Sequence, residues 1–89
     1  MINQEMNSMK RLLPEVVKYY DIEVVNRIQD KYGYEPMDAL RIFLSSETHA
    51  MLEDMDFGMM DFGPEGIFDI WEAEKITGNP RNSVYIMGE

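Results

Sequence analysis

The chain contains no cysteine, which excludes disulfides and thiolate metal sites at once. It has one histidine, His49, and one tryptophan, Trp71. No apolar run approaches the ~18 residues of a membrane-spanning helix. The N-terminus mixes Asn3, Gln4, Glu5 and Lys10 with apolar residues, unlike the apolar core of a secretory signal. Basic residues are few and never clustered, eight against seventeen acidic ones. That balance argues against binding to nucleic acid or an anionic membrane. A cytoplasmic protein of prokaryotic type is expected.

The acidic excess is concentrated. Glu47, Glu53, Asp54, Asp56, Asp61, Glu65, Asp69, Glu72 and Glu74 fall in residues 47–74, which hold no Lys or Arg, while residues 1–46 are nearly balanced. This stretch accounts for the formal net charge of −9. A field of one sign attracts cationic groups and repels nucleic acid. It names no reaction.

At 89 residues the chain has the length of one domain, residues 1–89. Its apolar content of 45% supports a packed core despite the charge. Met6, Met9, Leu13, Val17, Tyr20, Val24 and Ile28 recur three or four apart and form one helical stripe. Pro14 falls inside it, so either a kinked helix crosses the proline or a new helix begins there; a start at Pro14, where the missing donor costs nothing, is the preferred expectation, after a frayed helical segment over residues 1–12. Gly33 ends that helix, and Pro36 opens the next. Met37, Leu40, Phe43, Leu44, Met51, Leu52 and Met55 continue at helical spacing, with Ser45 and Ser46 dividing the run into two short helices.

Residues 56–66 form the main loop, with Asp-Phe-Gly at 56–58 and again at 61–63. Asp and Gly suit turns, and Phe57 and Phe62 are expected to plug into the core. Pro64 and Glu65 open a last helix that Gly78 closes. Residues 79–89 are expected to form an extended tail. The expected fold is an all-α bundle of three or four helices with that tail at its C-terminus.

The candidates for chemistry are weak. His49 and Glu53 share a helical face with Glu47 nearby, but zinc wants about four ligands. The plainer expectation is a partly exposed histidine paired with Glu53. Asp54-x-Asp56-x-Gly58, with Glu65 following, resembles a calcium loop whose glycine is misplaced. Asp-Phe-Gly is also the magnesium tripeptide of protein kinases, but none of their other motifs is present. Ser45, Ser46, Thr48 and Ser83 lack a glycine-flanked elbow. Carboxylate pairs are too abundant to signify a glycosidase. No catalytic, cofactor or metal site is expected, and no enzyme activity. Of nine methionines, Met59 and Met60 could form an adaptable surface, though core filling is the plainer role. Trp71 sits beside acids and suits either the core or an interface. The partner-binding face expected from these features is Asp54, Asp56, Met59, Met60, Asp61 and Trp71.

Leu12-Leu13-Pro14-Glu15-Val16-Val17, Lys31-Tyr32-Gly33, Asp38-Ala39-Leu40, Phe43-Leu44-Ser45-Ser46-Glu47-Thr48 and Leu52-Glu53-Asp54 resemble a group of small bacterial helical proteins of unknown function. Asp69-Ile70-Trp71-Glu72 supplies the last helix of that pattern. Glu47 and His49 stand where the group has lysine and an aromatic, and the tail after Gly78 is longer. Members often accompany mobile or toxin-like gene modules, so the resemblance implies a binding or antitoxin-like role without a catalytic residue. The leading expectation is a module that binds a protein with a basic surface. The alternatives are an acidic mimic of nucleic acid that occupies a basic groove, and a self-assembling protein whose residues 84–87 pair edge to edge in a homodimer.

Overall fold

The computed structural model describes residues 2–54 and 57–87, with side chains from Pro14 onward apart from Met60. The first helix, α1, runs unbroken over Ile2–Tyr32. The preferred start at Pro14 is therefore corrected in favour of one helix that crosses the proline. Proline removes one backbone donor and crowds the carbonyl four residues back, at a cost of about 3 kcal/mol. Residues 2–13 contain no glycine and several strong helix formers, so helix on both sides outweighs one local defect. Val17, Tyr20, Val24 and Ile28 are all buried, as the stripe requires. Gly33 ends α1 at φ 72°, and its N–H donates to the Gln29 carbonyl at 2.8 Å.

Pro36 starts α2 (Pro36–Leu44), and α3 (Glu47–Glu53) follows after the expected serine break. Ser45 Oγ donates to the Arg41 carbonyl at 2.9 Å and Ser46 Oγ to that of Phe43 at 2.6 Å. Ser46 Oγ also accepts from the His49 N–H at 3.1 Å. A second cap for α3 comes from a distant helix, α4 (Gly63–Thr77). Glu74 on α4 accepts from the Glu47 N–H at 2.9 Å and from the Thr48 N–H and Oγ1 at 2.9 and 2.7 Å. Free N–H groups at a helix start need such acceptors, and a carboxylate there also meets the positive end of the dipole.

A 3-10 turn over Met59–Phe62 leads into α4. Met59 is buried and Phe62 packs against the core, but Phe57 is about half exposed. Only the second Asp-Phe-Gly therefore anchors the loop. Asp56 lies outside the described residues. Gly78 ends α4 at φ 84°.

The expected extended tail is also corrected. Pro80–Asn82 forms a 3-10 turn and Val84–Met87 a short helix, α5. Asn79 Oδ1 accepts from the Arg81 N–H at 2.9 Å and starts the turn. Ser83 Oγ accepts from the Tyr85 N–H at 3.2 Å and donates to Asp69 Oδ2 at 2.7 Å, which pins α5 to α4. Side-chain capping thus turns a β-branched apolar run into helix. Tyr85 then lies over Gly66, where an added Cβ would stand 2.7 Å from Phe62 Cβ and 3.2 Å from the Tyr85 ring.

The core joins Val24 and Ile28 of α1 to Phe43, Leu52, Ile67, Ile70 and Trp71. Burying each such side chain stabilises by about 1.5–3 kcal/mol. Among the described residues every regular element is helical, and no helix is long and apolar enough to cross a membrane.

Two substitutions test this account by chemical denaturation. Glu74→Ala is expected to destabilise by about 1–2 kcal/mol, because it orphans donors at the α3 N-terminus, with Glu74→Gln falling between it and the parent. Gly66→Ala is expected to destabilise by about 1–3 kcal/mol through overpacking against Phe62 and Tyr85, despite alanine's better helix propensity. A stabilised Gly66→Ala protein would refute that packing.

Candidate functional site

The residues expected to form a partner-binding face do not lie together on the surface. Asp54 and Asp61 are exposed, but Met59 and Trp71 are buried. The Trp71 ring meets Tyr32 edge-on at 5.8 Å and stacks on Phe68 at 6.0 Å, which makes it a core anchor. Asp56 and the Met60 side chain lie outside what the structure describes.

Much of the acidic stretch faces partners within the fold. Glu74 caps α3, and Glu47 pairs with Arg81. Asp69 receives Ser83, Glu65 approaches Arg27 at 3.9 Å, and Glu53 approaches His49 at 3.5 Å. Glu72 Oε2 accepts from both Lys31 Nζ at 2.5 Å and Tyr32 Oη at 2.6 Å. The hydrogen bond to Glu72, reinforced by burial, pushes the Tyr32 hydroxyl up to about 12. Burial alone would raise the Glu72 carboxyl, but the bonds from Lys31 and Tyr32 outweigh it and hold the group below its usual range.

His49 departs most from expectation. It is buried rather than partly exposed. Its Nε2 stands 2.9 Å from Asp21 Oδ1 on α1, and its Nδ1 faces Glu53 Oε1. Phe43 closes the ring from α2, edge-on at 5.2 Å. Nε2 and Oδ1 are both buried and neither has an aligned hydrogen-bond partner, so the close approach acts as an electrostatic pairing. Burial raises the Asp21 carboxyl above its ordinary range, with His49 opposing the shift and Glu53 adding to it. Among the described residues no group of three or more His, Asp or Glu is arranged to hold a metal ion.

Two open troughs run along α1 beside this cluster. The larger, about 590 Å³, lies between α1 and α2 with Ile22, Val25, Met37, Leu40 and Leu44 as its apolar walls. Ile22 and Met37 at its lips are 56% and 64% exposed, high values for large apolar side chains beside one another. The smaller, about 320 Å³, is bounded by Pro14, Val17 and Glu53. Lys18 and Asp21 line both, so the troughs meet there. The sequence carried a sign of this surface. Ile22 falls off the buried stripe of α1, and Met37, Leu40 and Leu44 keep helical spacing apart from the buried Ala39 and Phe43. Reading all of α2's apolar residues as one core stripe hid its second apolar side.

No family model, curated protein or solved structure matches the chain.

Two of the shifted groups, Tyr32 and Asp21, give checkable outcomes. The native Tyr32 value lies above the unfolded one, so its contribution to stability is complete below about pH 10 and is lost as pH rises through about 12. Tyr32→Phe is expected to remove that alkaline loss, measured by denaturant midpoint against pH. The Asp21 carboxyl is also raised, so its contribution is complete below the ordinary aspartate range and is lost as pH rises through the native value. The stability of Asp21→Asn relative to the parent should therefore increase as pH rises above the ordinary aspartate range. A flat difference would contradict the burial argument.

Proposed function

We propose that this chain is a small binding module that receives an amphipathic, cationic helix of another protein in the trough between α1 and α2. One observation carries the reading. Large apolar side chains, Ile22, Met37 and Leu44, stand exposed along two adjacent helices with an open cleft of about 590 Å³ between them. Two such ridges suit the apolar face of a third helix, whose side chains would enter at positions i, i+3 or i+4, and i+7. The formal charge of −9 selects the sign of the partner. It speeds the encounter with a cationic helix and opposes association of two identical copies.

This reading agrees with the regulatory role implied by the resemblance, in which a small acidic protein sequesters a basic, toxin-like partner. A mimic of nucleic acid would need carboxylates spaced freely along one face, whereas Glu47, Asp69, Glu72 and Glu74 are engaged inside the fold. Edge pairing by residues 84–87 has no strand to use, since Val84–Met87 is helical.

Fluorescence anisotropy with labelled model helices tests the proposal. A peptide with an apolar i, i+4, i+7 stripe and lysines on its other face is expected to bind at micromolar concentration in low salt. The same stripe with glutamates should bind at least about ten-fold more weakly. Met37→Glu or Ile22→Glu should abolish binding while leaving the circular dichroism spectrum and denaturation midpoint nearly unchanged, because both side chains are exposed. Unaltered binding by these variants would refute the trough as the site.

A further inference from the structure

We propose that Met37 is an oxidation site, at which a peroxide converts the thioether to a sulfoxide and so makes the trough between α1 and α2 unfit for its ligand. The inference concerns regulation of that site and rests on the trough being the binding surface. The chemistry is one two-electron step. A sulfur lone pair attacks an oxygen of hydrogen peroxide or an organic hydroperoxide, and the O–O bond breaks. The sulfur is oxidised to a sulfoxide, and the peroxide is reduced to water or an alcohol.

Exposure decides which methionines react. Met37 is 64% exposed in the first turn of α2, and its neighbours Glu35, Pro36 and Asp38 are exposed as well. A peroxide therefore reaches the side chain without any opening of the fold. Met51 and Met59 are only 4% and 2% exposed and belong to the core. Susceptibility follows exposure, so Met37 takes up oxygen while these two stay apolar and keep the packing. Met87 on α5 is 58% exposed but does not line the trough. It undergoes the same chemistry away from the site and serves as an internal comparison.

Position gives the reaction its consequence. Met37 forms one lip of the trough, with Ile22 at the other and Val25 and Leu40 in the walls. In its reduced form the thioether is flexible, polarizable and apolar, which suits contact with a helix face. A sulfoxide puts a strongly polar oxygen at the same place. A docked helix would cover that oxygen with its apolar stripe, which offers no donor, and burying a polar group unpaired is costly. Binding and oxidation therefore oppose each other, since the ligand that the sulfoxide repels also shields the thioether. Enzymatic reduction of methionine sulfoxide restores the site.

The test treats the full chain with hydrogen peroxide, removes the oxidant, and locates added oxygen by peptide mass spectrometry. Anisotropy then reports binding of the lysine-bearing helical peptide, made without methionine, cysteine or tryptophan. Met37 and Met87 are expected to gain oxygen well before Met51 and Met59, with the circular dichroism spectrum unchanged. Affinity for the peptide should fall about ten-fold at that stage. Met37→Leu, whatever its starting affinity, should show the same affinity before and after peroxide, whereas Met87→Leu should lose affinity as the parent does. Met37→Gln should bind more weakly than Met37→Leu without any oxidant. Saturating peptide present during the treatment should slow oxidation at Met37 and leave that at Met87 unaltered. Full affinity of a chain oxidised at Met37, or an equal loss in oxidised Met37→Leu, would overturn the inference and leave the trough standing. Failure of the untreated parent to bind the peptide would overturn both readings.

Discussion

The carboxylate of Glu74 is the contact on which the arrangement of this small domain turns. It reaches from α4 to the first turn of α3 and accepts from two backbone N–H groups and one hydroxyl. Those bonds set the position of α3, a helix of only seven residues. Once α3 is placed, Met51 and Leu52 enter the core and His49 meets Asp21 on α1. The meeting point of the two troughs thus follows from a cap supplied by a third helix. Ser46 completes the cap locally, so both α3 residues that start the helix and the one that faces Asp21 are held by side-chain acceptors.

The same contact changes the meaning of the charge pattern. A block of acids with no neighbouring base in sequence suggests an exposed field, because chain proximity shows no counter-charge. In three dimensions the partners come from elsewhere, Lys31 from α1, Arg81 from the C-terminal turn and backbone donors from α3. Surface ion pairs of this kind each add little stability, but a carboxylate on orphan helix donors fixes geometry as well. Net charge still sets the long-range attraction of the molecule. In the proposed reading, recognition at short range falls to the apolar trough.

Most of the helical framework was legible in the sequence, because its signals are local. Gly33 and Gly78 end helices in left-handed geometry, Pro36 and Pro64 begin them, and the two serines divide α2 from α3. Pro14 misled because its defect is visible locally while the helix-forming strength around it acts as a sum. The C-terminal segment misled because Val84 and Ile86 favour strand by type, whereas Asn79 and Ser83 act as caps only once the chain has turned. The candidate site was scarcely legible. Asp21 and His49 lie far apart in sequence, and nothing local says that an α1 acid will close on an α3 imidazole. The burial of Met59 and Trp71 depends likewise on tertiary packing that spacing alone does not specify.

The shortness of α3 has a consequence for the order of folding. A helix of seven residues lies well below the roughly 12 residues at which isolated helices become even marginal in water. Its second cap comes from a residue 26 positions downstream of Thr48. That segment therefore gains its structure only once α4 has docked, late in the assembly of the chain. A nascent or partly unfolded molecule therefore lacks the surface where the two troughs meet until α4 is in place.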